Sequence, residues 1–463
     1  MLWAALHFFR LPLETLLRGH APSESGAWAV AGNDRVLACD TAAWRLGVRP
    51  GMALSAAWAI APALRVLERN LRAEAEALEG VAAWLGRFTP KVSLEPPHAV
   101  AAEVEGSLRL FGGTDGLERE LRAGLAGIGF EAALAFAPTA RAALWRAAGC
   151  GAPLEELPAE VVALAPEALD LLRGLGIGTL GELMRLPRDG VALRFGQGLL
   201  DELDRALGKI PEPRALFAPP ARFAARLELP AQVTEAASVL FAARRLLAQF
   251  EGFLAARQAG VRGFTLAMAH ASAQPTRVAV NLATPSRDAS HFTALLRQRL
   301  ERAALAEPVE AIRLEADALE PLPGASAALF RDARAAGEDW TRLVERLAAR
   351  LGSDAVHGLA MRSEHRPERA WRAVTAGEPP GLRPPPLAGG QWSGPRPLWL
   401  LERPRRIGEA DFVLLAGPER IESGWWDGEE ARRDYFIARS ADSCLVWIYR
   451  EREGGWFLHG IFS

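Results

Sequence analysis

Apolar and polar positions change period several times along the chain, and each change marks an element. Leu2 to Phe9 is apolar apart from His7 and reads as a buried strand; Leu11 to Leu17 continues at helical spacing. Ala27–Val30 and Val36–Ala38 predict two short strands around a turn at Gly32-Asn33-Asp34. Thr41–Leu46, Ala53–Ile60 and Ala73–Arg87 have helical periodicity, the first closed by Gly47 and the second by Pro62. The stretch Phe88 to Gly106 then predicts two strand pieces joined by a turn at Pro96-Pro97, with Val100–Val104 mostly apolar and Leu108–Phe111 a further strand. Gly116–Gly127 is predicted as a helix, Ala132–Phe136 as a strand and Thr139–Ala148 as a helix. This order fits an α/β or α+β domain of about 160 residues.

Pro158 to Gly208 is helical throughout by pattern, and two short helices meet at Gly174-Leu175-Gly176-Ile177-Gly178 before Thr179. That is a helix-hairpin-helix signature. Its glycines admit a phosphate close to the backbone, and the N–H groups opening the second helix bind it. An ordinary corner between two helices gives the same pattern. After a linker at Phe217–Pro220 come a strand (Phe223–Leu229), a helix (Ala236–Ala256), two strands (Gly263–Ala269, Arg277–Leu282), a helix (Ser290–Leu305) and a strand (Ile312–Ala318), a β-α-β-β-α-β module. A second linker, Pro321–Gly324, precedes Ser326-Ala-Ala-Leu329-Phe330, which either starts a helix or docks as a peptide in a partner's pocket. Asp339–Leu351 is a predicted helix, and 376–397 is Pro/Gly-rich. Short strands are predicted at Pro397–Leu401, Phe412–Leu415, Asp434–Ala438, Cys444–Arg450 and Trp456–Ile461.

Composition changes this picture little. The 463 residues are half hydrophobic and a quarter charged, enough for two to four domains with ample cores. No apolar run reaches the roughly 20 residues of a membrane span. The N-terminus lacks the basic start of a signal peptide. Three scattered cysteines, Cys39, Cys150 and Cys444, offer neither zinc spacing nor a disulfide framework, so a cytoplasmic location is expected. The net charge of −2 excludes a uniformly basic nucleic-acid binder. The charge is uneven, however: from Arg222 to Arg299 ten arginines face four acids. Arg244, Arg245, Arg262 and Arg277 in that module are candidate phosphate contacts; a solvated surface is the alternative. In the tail, Trp425, Trp426, Arg432, Arg433 and Tyr435 form an aromatic and arginine cluster that suits either a core or a partner-binding surface.

Read together, Ala43-Trp-Arg-Leu-Gly-Val-Arg-Pro-Gly-Met52, Phe88-Thr-Pro-Lys-Val92, Gly106 and Leu175-Gly-Ile-Gly-Thr-Leu-Gly-Glu-Leu183 resemble a Y-family translesion DNA polymerase over about residues 1–320. The resemblance implies a right hand: palm and fingers at 1–165 (fingers about 20–75), a helix-hairpin-helix thumb at 166–216 and a little finger at 221–320. A linker with a clamp-peptide candidate and a helix would fill 321–395, and a small β-rich, Trp-rich interaction domain 396–463. Glu364-His-Arg-Pro-Glu-Arg-Ala-Trp371, Arg396-Pro-Leu-Trp-Leu-Leu401, Ser423-Gly-Trp-Trp-Asp427, Arg432-Arg-Asp-Tyr435 and Trp456-Phe-Leu-His-Gly-Ile-Phe462 are similar to the polymerase-like branch encoded in a bacterial mutagenesis cassette.

Active members carry an Asp on the first strand and an Asp-Glu pair at the palm hairpin, which together hold two Mg²⁺ ions. Counting from Glu14, the first-strand Asp falls at Ala5 and the second Asp of that motif at His7; counting from Phe88 to Gly106, the pair falls at His98 and Ala99. The triphosphate-binding Tyr and Arg of the fingers fall at Thr41 and Trp44, and no Lys lies between Lys91 and Lys209. Three parts of one active site are missing together, so neither catalysis nor a Mg²⁺ site is expected. The resemblance implies instead a nucleoid-associated adaptor that binds damaged or primer-template DNA. Its implied partners are a RecA-related protein (ImuA), the α subunit of an error-prone C-family polymerase and the β sliding clamp. Clamp binding in the family uses a Gln-x-x-Leu-Phe-type peptide; here Leu329 and Phe330 remain and Ser326 replaces the Gln. Two other readings are a polymerase with displaced ligands, Asp40, Glu95 or Glu103, and an interaction module that does not bind DNA.

Overall fold

A computed structural model describes the chain except residues 20–25, 163, 306, 323–332, 363, 376–394, 453 and 463. The clamp-peptide candidate, Leu329-Phe330, lies outside the described residues. Two compact units emerge, Met1–Arg350 and Leu351–Ser463.

The first unit opens with β1 (Trp3–His7) and α1 (Leu11–Leu17). A small subdomain follows: β2 (Trp28–Gly32), β3 (Arg35–Cys39), α2 (Thr41–Arg45), α3 (Leu54–Ile60) and β4 (Arg65–Glu68). Asn33 and Asp34 turn the β2–β3 hairpin in the left-handed region, at φ 50° and 58°, the conformation such two-residue hairpin turns require. β4 pairs parallel to β2 and was not expected: four residues, Arg-Val-Leu-Glu, are too few to show a period. The chain continues with α4 (Leu71–Leu85), β5 (Val92–Glu95), β6 (Ala99–Glu103), α5 (Leu108–Phe111), α6 (Thr114–Ile128), β7 (Ala133–Ala137) and α7 (Ala140–Ala148). The expected strand at Leu108–Phe111 is a helical turn. A four-residue apolar run does not separate strand from helix, and Gly112 and Gly113 (φ 73° and 96°) close the turn at once.

The palm sheet has the order β5-β6-β1-β7, every pair antiparallel. Side chains alternate across a strand, and here both faces are covered. Ala4, Leu6 and Phe8 pack with Val100 and Ala102 under α4 and α6. Ala5 packs with Ala135 and Ala137 under α7 and the helices that follow. Two covered faces explain why Leu2–Phe9 reads as an almost unbroken apolar run.

Four helices, α8 (Pro166–Gly174), α9 (Leu180–Met184), α10 (Arg188–Phe195) and α11 (Gln197–Ala206), form the thumb and share a core with α7. Then come β8 (Phe223–Val233), α12 (Ala236–Ala256), β9 (Ala259–His270), β10 (Thr276–Ser286), α13 (Ala289–Leu300) and β11 (Val309–Ala316). This is the expected β-α-β-β-α-β module, with strand order β10-β9-β11-β8. Phe250, Phe253, Phe264 and Phe292 fill its core between sheet and helices. The short β12 (Glu320–Pro321) pairs with β9, and α14 (Ala333–Leu351) completes the unit. Glu345 of α14 accepts from the Ala283 N–H at 2.7 Å and bonds His291 at 2.6 Å, so this helix belongs to the module rather than to a linker.

Helix α12 also packs on the palm. Trp84 of α4 is 1% exposed; a Cβ at Gly124 of α6 or at Gly252 of α12 would lie 2.2 Å from its indole. These two glycines let three helices close on one aromatic ring.

The second unit pairs β13 (His357–Met361) with β14 (Trp371–Thr375), then forms an antiparallel sheet of β15 (Trp399–Ile407), β16 (Phe412–Ser423), β17 (Ala431–Ser440), β18 (Leu445–Glu451) and β19 (Trp456–Ile461), in the order β15-β19-β18-β17-β16. The boundary expected at 396 therefore falls inside a unit that begins at Leu351.

Candidate nucleic-acid interface and degenerate palm site

Register places the palm positions without ambiguity. Ala5 of β1 faces Ala101 of β6, and His7 faces Ala99. Ala5 is fully buried and Ala99 is 7% exposed. His98 sits at the hairpin turn, where its carbonyl accepts the Phe8 N–H at 2.8 Å. The His7 and His98 rings meet edge-on, 6.2 Å between centroids. Burial, then the His98 ring, lowers the pKa of His7. Burial lowers that of His98 too, with Glu74 opposing and Arg69 adding. Both imidazoles are therefore neutral at pH 7. Mg²⁺ requires hard oxygen ligands. These positions present methyl groups and imidazole nitrogens, so the donor set does not fit it.

Three carboxylates that could act as displaced ligands, Glu103, Glu95 and Asp40, are engaged by neighbouring groups. Glu103 accepts from Lys91 at 3.1 Å and from the Glu105 N–H at 3.2 Å. Glu95 accepts the Ser93 hydroxyl at 2.9 Å and pairs with Arg214. Asp40 caps α2 by accepting the Ala43 N–H at 2.7 Å. In the fingers, Thr41 opens α2 and is exposed, and Trp44 lies with its ring 3.9 Å below the Arg49 guanidinium.

The thumb hairpin forms where the glycines place it, but its amides are not free. Leu175, Gly176 and Ile177 N–H groups bond back to the carbonyls of Leu171, Leu172 and Arg173. Gly178 and Thr179 N–H groups both donate to Glu182 Oε2, at 2.7 and 3.1 Å, while Thr179 Oγ1 accepts the Glu182 N–H in a capping box. The expectation that the N–H groups opening the second helix await a phosphate is corrected: a carboxylate of the chain occupies that place. Gly176 adopts φ 75°, and a Cβ at Gly174 or Gly176 would meet nothing within 4 Å.

On the little finger, α12 and α13 cover one sheet face; the other faces α4 across a cleft at its β8 edge and is otherwise not covered by these helices. Across that other face the register aligns Arg277, Ala267, Arg313 and Arg226 in one row over four strands. All three arginines are exposed. The neighbouring row on the same face is Ala279, Thr265, Glu315 and Ala224. Arg277 and Arg313 share Glu315 at 3.7 and 2.7 Å, and Arg226 pairs with Glu228 at 2.7 Å. Exposed pairs of this kind are worth about 0–1 kcal/mol, so each can be exchanged for a phosphate.

Of the four arginines expected to act together, only Arg277 is in this row. Arg244 and Arg245 lie on α12, which covers the other face. Arg245 is directed at the palm, over Phe241 and against Gly129. Arg262 is held at the sheet edge by Glu320 and the Ala283 carbonyl. Arg226 and Arg313 escaped sequence reading because their alignment depends on strand register, which composition does not encode.

In the second unit the tail motifs converge. Arg366, 2% exposed, bonds Glu364 at 2.8 Å and Asp427 at 2.6 Å, and Ser423 donates to Glu364 at 3.0 Å. Beside these lies a second network: Tyr435 Oη to His459 Nδ1 at 2.8 Å, Arg433 to Tyr435 at 3.2 Å and Arg433 to Glu368 at 2.9 Å. Tyr435 is fully buried and stacks on Trp447 at 4.1 Å. Tyr435 and Arg433 are thus internal struts, not partner contacts. Trp425 and Trp426, 76% and 58% exposed, project from the turn that Asp427 anchors, and Arg432 is exposed as well.

The IMS family (impB/mucB/samB family) matches residues 21–145. Solved structures that resemble the chain include a Dbh ternary complex (17% identity, TM-score 0.39) and DinB from Sulfolobus solfataricus (18%, 0.37), each covering 70% of this chain and 100% of its own. Protein ImuB of Caulobacter vibrioides, from strains NA1000 / CB15N and ATCC 19089 / CIP 103742 / CB 15, is 30% identical over 464 residues, spanning 90% of this chain and 100% of that protein. A match of that length takes in the right-handed body and the tail whose motifs converge on Arg366 and Tyr435. The chain belongs to the ImuB family, with the IMS match falling on its palm and fingers.

Proposed function

We propose that this chain is a non-catalytic, DNA-binding adaptor in DNA repair and damage-induced translesion synthesis. The observation that carries the reading is the palm register. The positions that face one another across β1 and β6 hold Ala5, His7, Ala99 and Ala101, and Asp40, Glu95 and Glu103 are each engaged by a neighbouring group. A two-metal mechanism needs anionic oxygens at that point to hold both ions against the triphosphate. The row of Arg226, Arg277 and Arg313 supports a sequence-independent, salt-sensitive grip on the DNA backbone. Exposed Trp425 and Trp426, on a rigid salt-bridged turn, support recruitment of protein partners through the tail. In this reading the partners are an ImuA-like RecA-related protein and an error-prone C-family polymerase α subunit. The β sliding clamp is engaged through Leu329 and Phe330.

Primer extension with Mg²⁺ or Mn²⁺, run beside fluorescence-anisotropy binding to primer-template DNA at two salt concentrations, tests the proposal. The expected result is salt-sensitive binding without extension. Template-dependent extension lost in Glu103→Gln refutes the non-catalytic part. Absence of binding at low salt refutes the DNA-binding part. Co-purification with ImuA and the polymerase subunit, lost on Trp425→Ala with Trp426→Ala, tests recruitment; undiminished capture by the double variant refutes the assignment to this turn.

A further inference from the structure

A cleft of about 550 Å³ lies between α4 of the palm and β8, the edge strand of the little finger. It is on the far side of the palm sheet from Ala5, because α4 packs with Ala4, Leu6 and Phe8, whereas Ala5 packs under α7. It is therefore separate from the degenerate active site. Its volume is in the range of small-molecule sites, about 300–1,000 Å³.

Arg18, just past the end of α1, lines this cleft and is only 7% exposed. A buried arginine is ordinarily paired with a carboxylate, since an uncompensated charge is costly in a poorly solvated place. The other arginines lining the cleft have such partners: Arg72 with Glu76 at 2.8 Å, Arg226 with Glu228 at 2.7 Å, Arg313 with Glu315 at 2.7 Å and Arg222 with Asp317 at 3.6 Å. Arg18 meets only neutral acceptors among the described residues, Gln249 Oε1 at 3.4 Å and the Arg226 carbonyl at 3.3 Å, both long. Its Nε has no partner among the described residues, and the Phe130 ring lies 4.8 Å from its guanidinium carbon. Burial, and then the like charge of Arg245, lowers its pKa to about 10, so it remains a cation at neutral pH. A planar guanidinium with unspent donors, at the floor of a cleft carrying four more arginines, matches the oxygens of a phosphate group. The cleft also holds Glu76, Glu79 and Glu228, which leaves the arginines in excess by two, five against three.

We propose that this cleft binds a small phosphorylated molecule, with one phosphate group docked on Arg18 between palm and little finger. A duplex backbone does not fit the same role, since its phosphates cannot reach a guanidinium nine-tenths buried. The bound anion would contact α1, α4 and β8 together and so brace the palm against the little finger.

The test is thermal melting and calorimetric titration of the full chain with inorganic phosphate, pyrophosphate and a nucleoside triphosphate, and separately with primer-template DNA. At least one of the small anions is expected to bind saturably and to raise the melting temperature. Arg18→Met is expected to melt no lower than the native chain without anion, and to bind the anion at least about tenfold more weakly. A charge reversal at the rim, Arg222→Glu, leaves the core untouched and is also expected to weaken binding. No saturable binding of any small anion overturns the proposal. So does a native-like response in Arg18→Met or, should that variant not fold, in Arg222→Glu. Displacement of the small anion by DNA with equal affinity in both variants likewise overturns it.

Discussion

Glu14 makes the stability of the first unit depend on pH in a direction opposite to most carboxylates. Its Oε1 accepts the Glu131 N–H at 3.2 Å, and its Oε2 is buried with no partner among the described residues. Burial raises its pKa from 4.5 to about 8; the Glu131 N–H, Arg10 and Arg245 only partly offset this, and the Glu131 carboxylate reinforces it. The folded state therefore holds this proton more tightly than the unfolded state. The stability it contributes is complete below pH 4.5 and is lost as pH rises through about 8. At about 1.36 kcal/mol per pKa unit, the gap sets a ceiling of about 5 kcal/mol. Glu14→Gln cannot ionise but keeps a carbonyl oxygen for the Glu131 N–H. Urea melts between pH 5 and 8.5 should find the variant within about 1 kcal/mol of the native chain at pH 5, and more stable by about 3–5 kcal/mol at pH 8. Parallel stability curves over that range, or a variant less stable at pH 8, would refute the reasoning.

Other perturbations separate struts from contacts. Trp84→Ala should cost about 3–5 kcal/mol, and Gly124→Ala or Gly252→Ala about 1–3 kcal/mol, because the added Cβ meets the indole; thermal melts read both. Replacing Arg226, Arg277 or Arg313 by Ala should each lower the slope of log K against log salt for DNA by about 1, whereas Arg262→Ala should leave it unchanged. Tyr435→Phe should destabilise the second unit by about 1–3 kcal/mol by stranding His459, while Trp425→Ala should stay within about 0.5 kcal/mol of native in a urea melt. In the same unit, carboxylates held low, Glu364 at about 2 by Arg366 and Asp427 likewise, contribute stability above their usual pKa that is lost as pH falls toward 2. The second unit should therefore unfold at acid pH under conditions that favour Glu14.

What the sequence disclosed and what it hid follow from the range of the interactions involved. The strand at Trp3–His7, the Asn33-Asp34 turn, the hairpin glycines at 174–178 and the β-α-β-β-α-β order are set by local periodicity and turn chemistry, and they are where those rules place them. The Arg226–Arg313–Arg277 row and the Arg366–Glu364–Asp427 network depend on pairings between residues as far as 87 apart, which no window of the chain contains. Glu182 is the instructive middle case. Its capping-box spacing from Thr179 was visible in the residues, but the functional expectation for Gly178 and Thr179 left out that the same carboxylate would take both amides.

The palm sheet does not need carboxylates at Ala5, His98 or Ala99 for its fold. β1 and β6 are held by two packed faces, Leu6 and Val100 on one and Ala5 and Ala135 on the other, and by an unbroken five-residue register. Acidic side chains clustered on such strands repel one another unless metal ions offset them, so replacing them by alanine removes a cost rather than a support. Ala5, Ala99 and Ala101 make the strand pair an ordinary buried sheet that is stable without a ligand. On this argument, restoring Asp at Ala5 would destabilise the chain: with α7 packed over the fully buried position, the new charge has no access to solvent. A melt of Ala5→Asp that matched the native chain without divalent ions would show that the site still tolerates charge, and would reopen the question of a metal there.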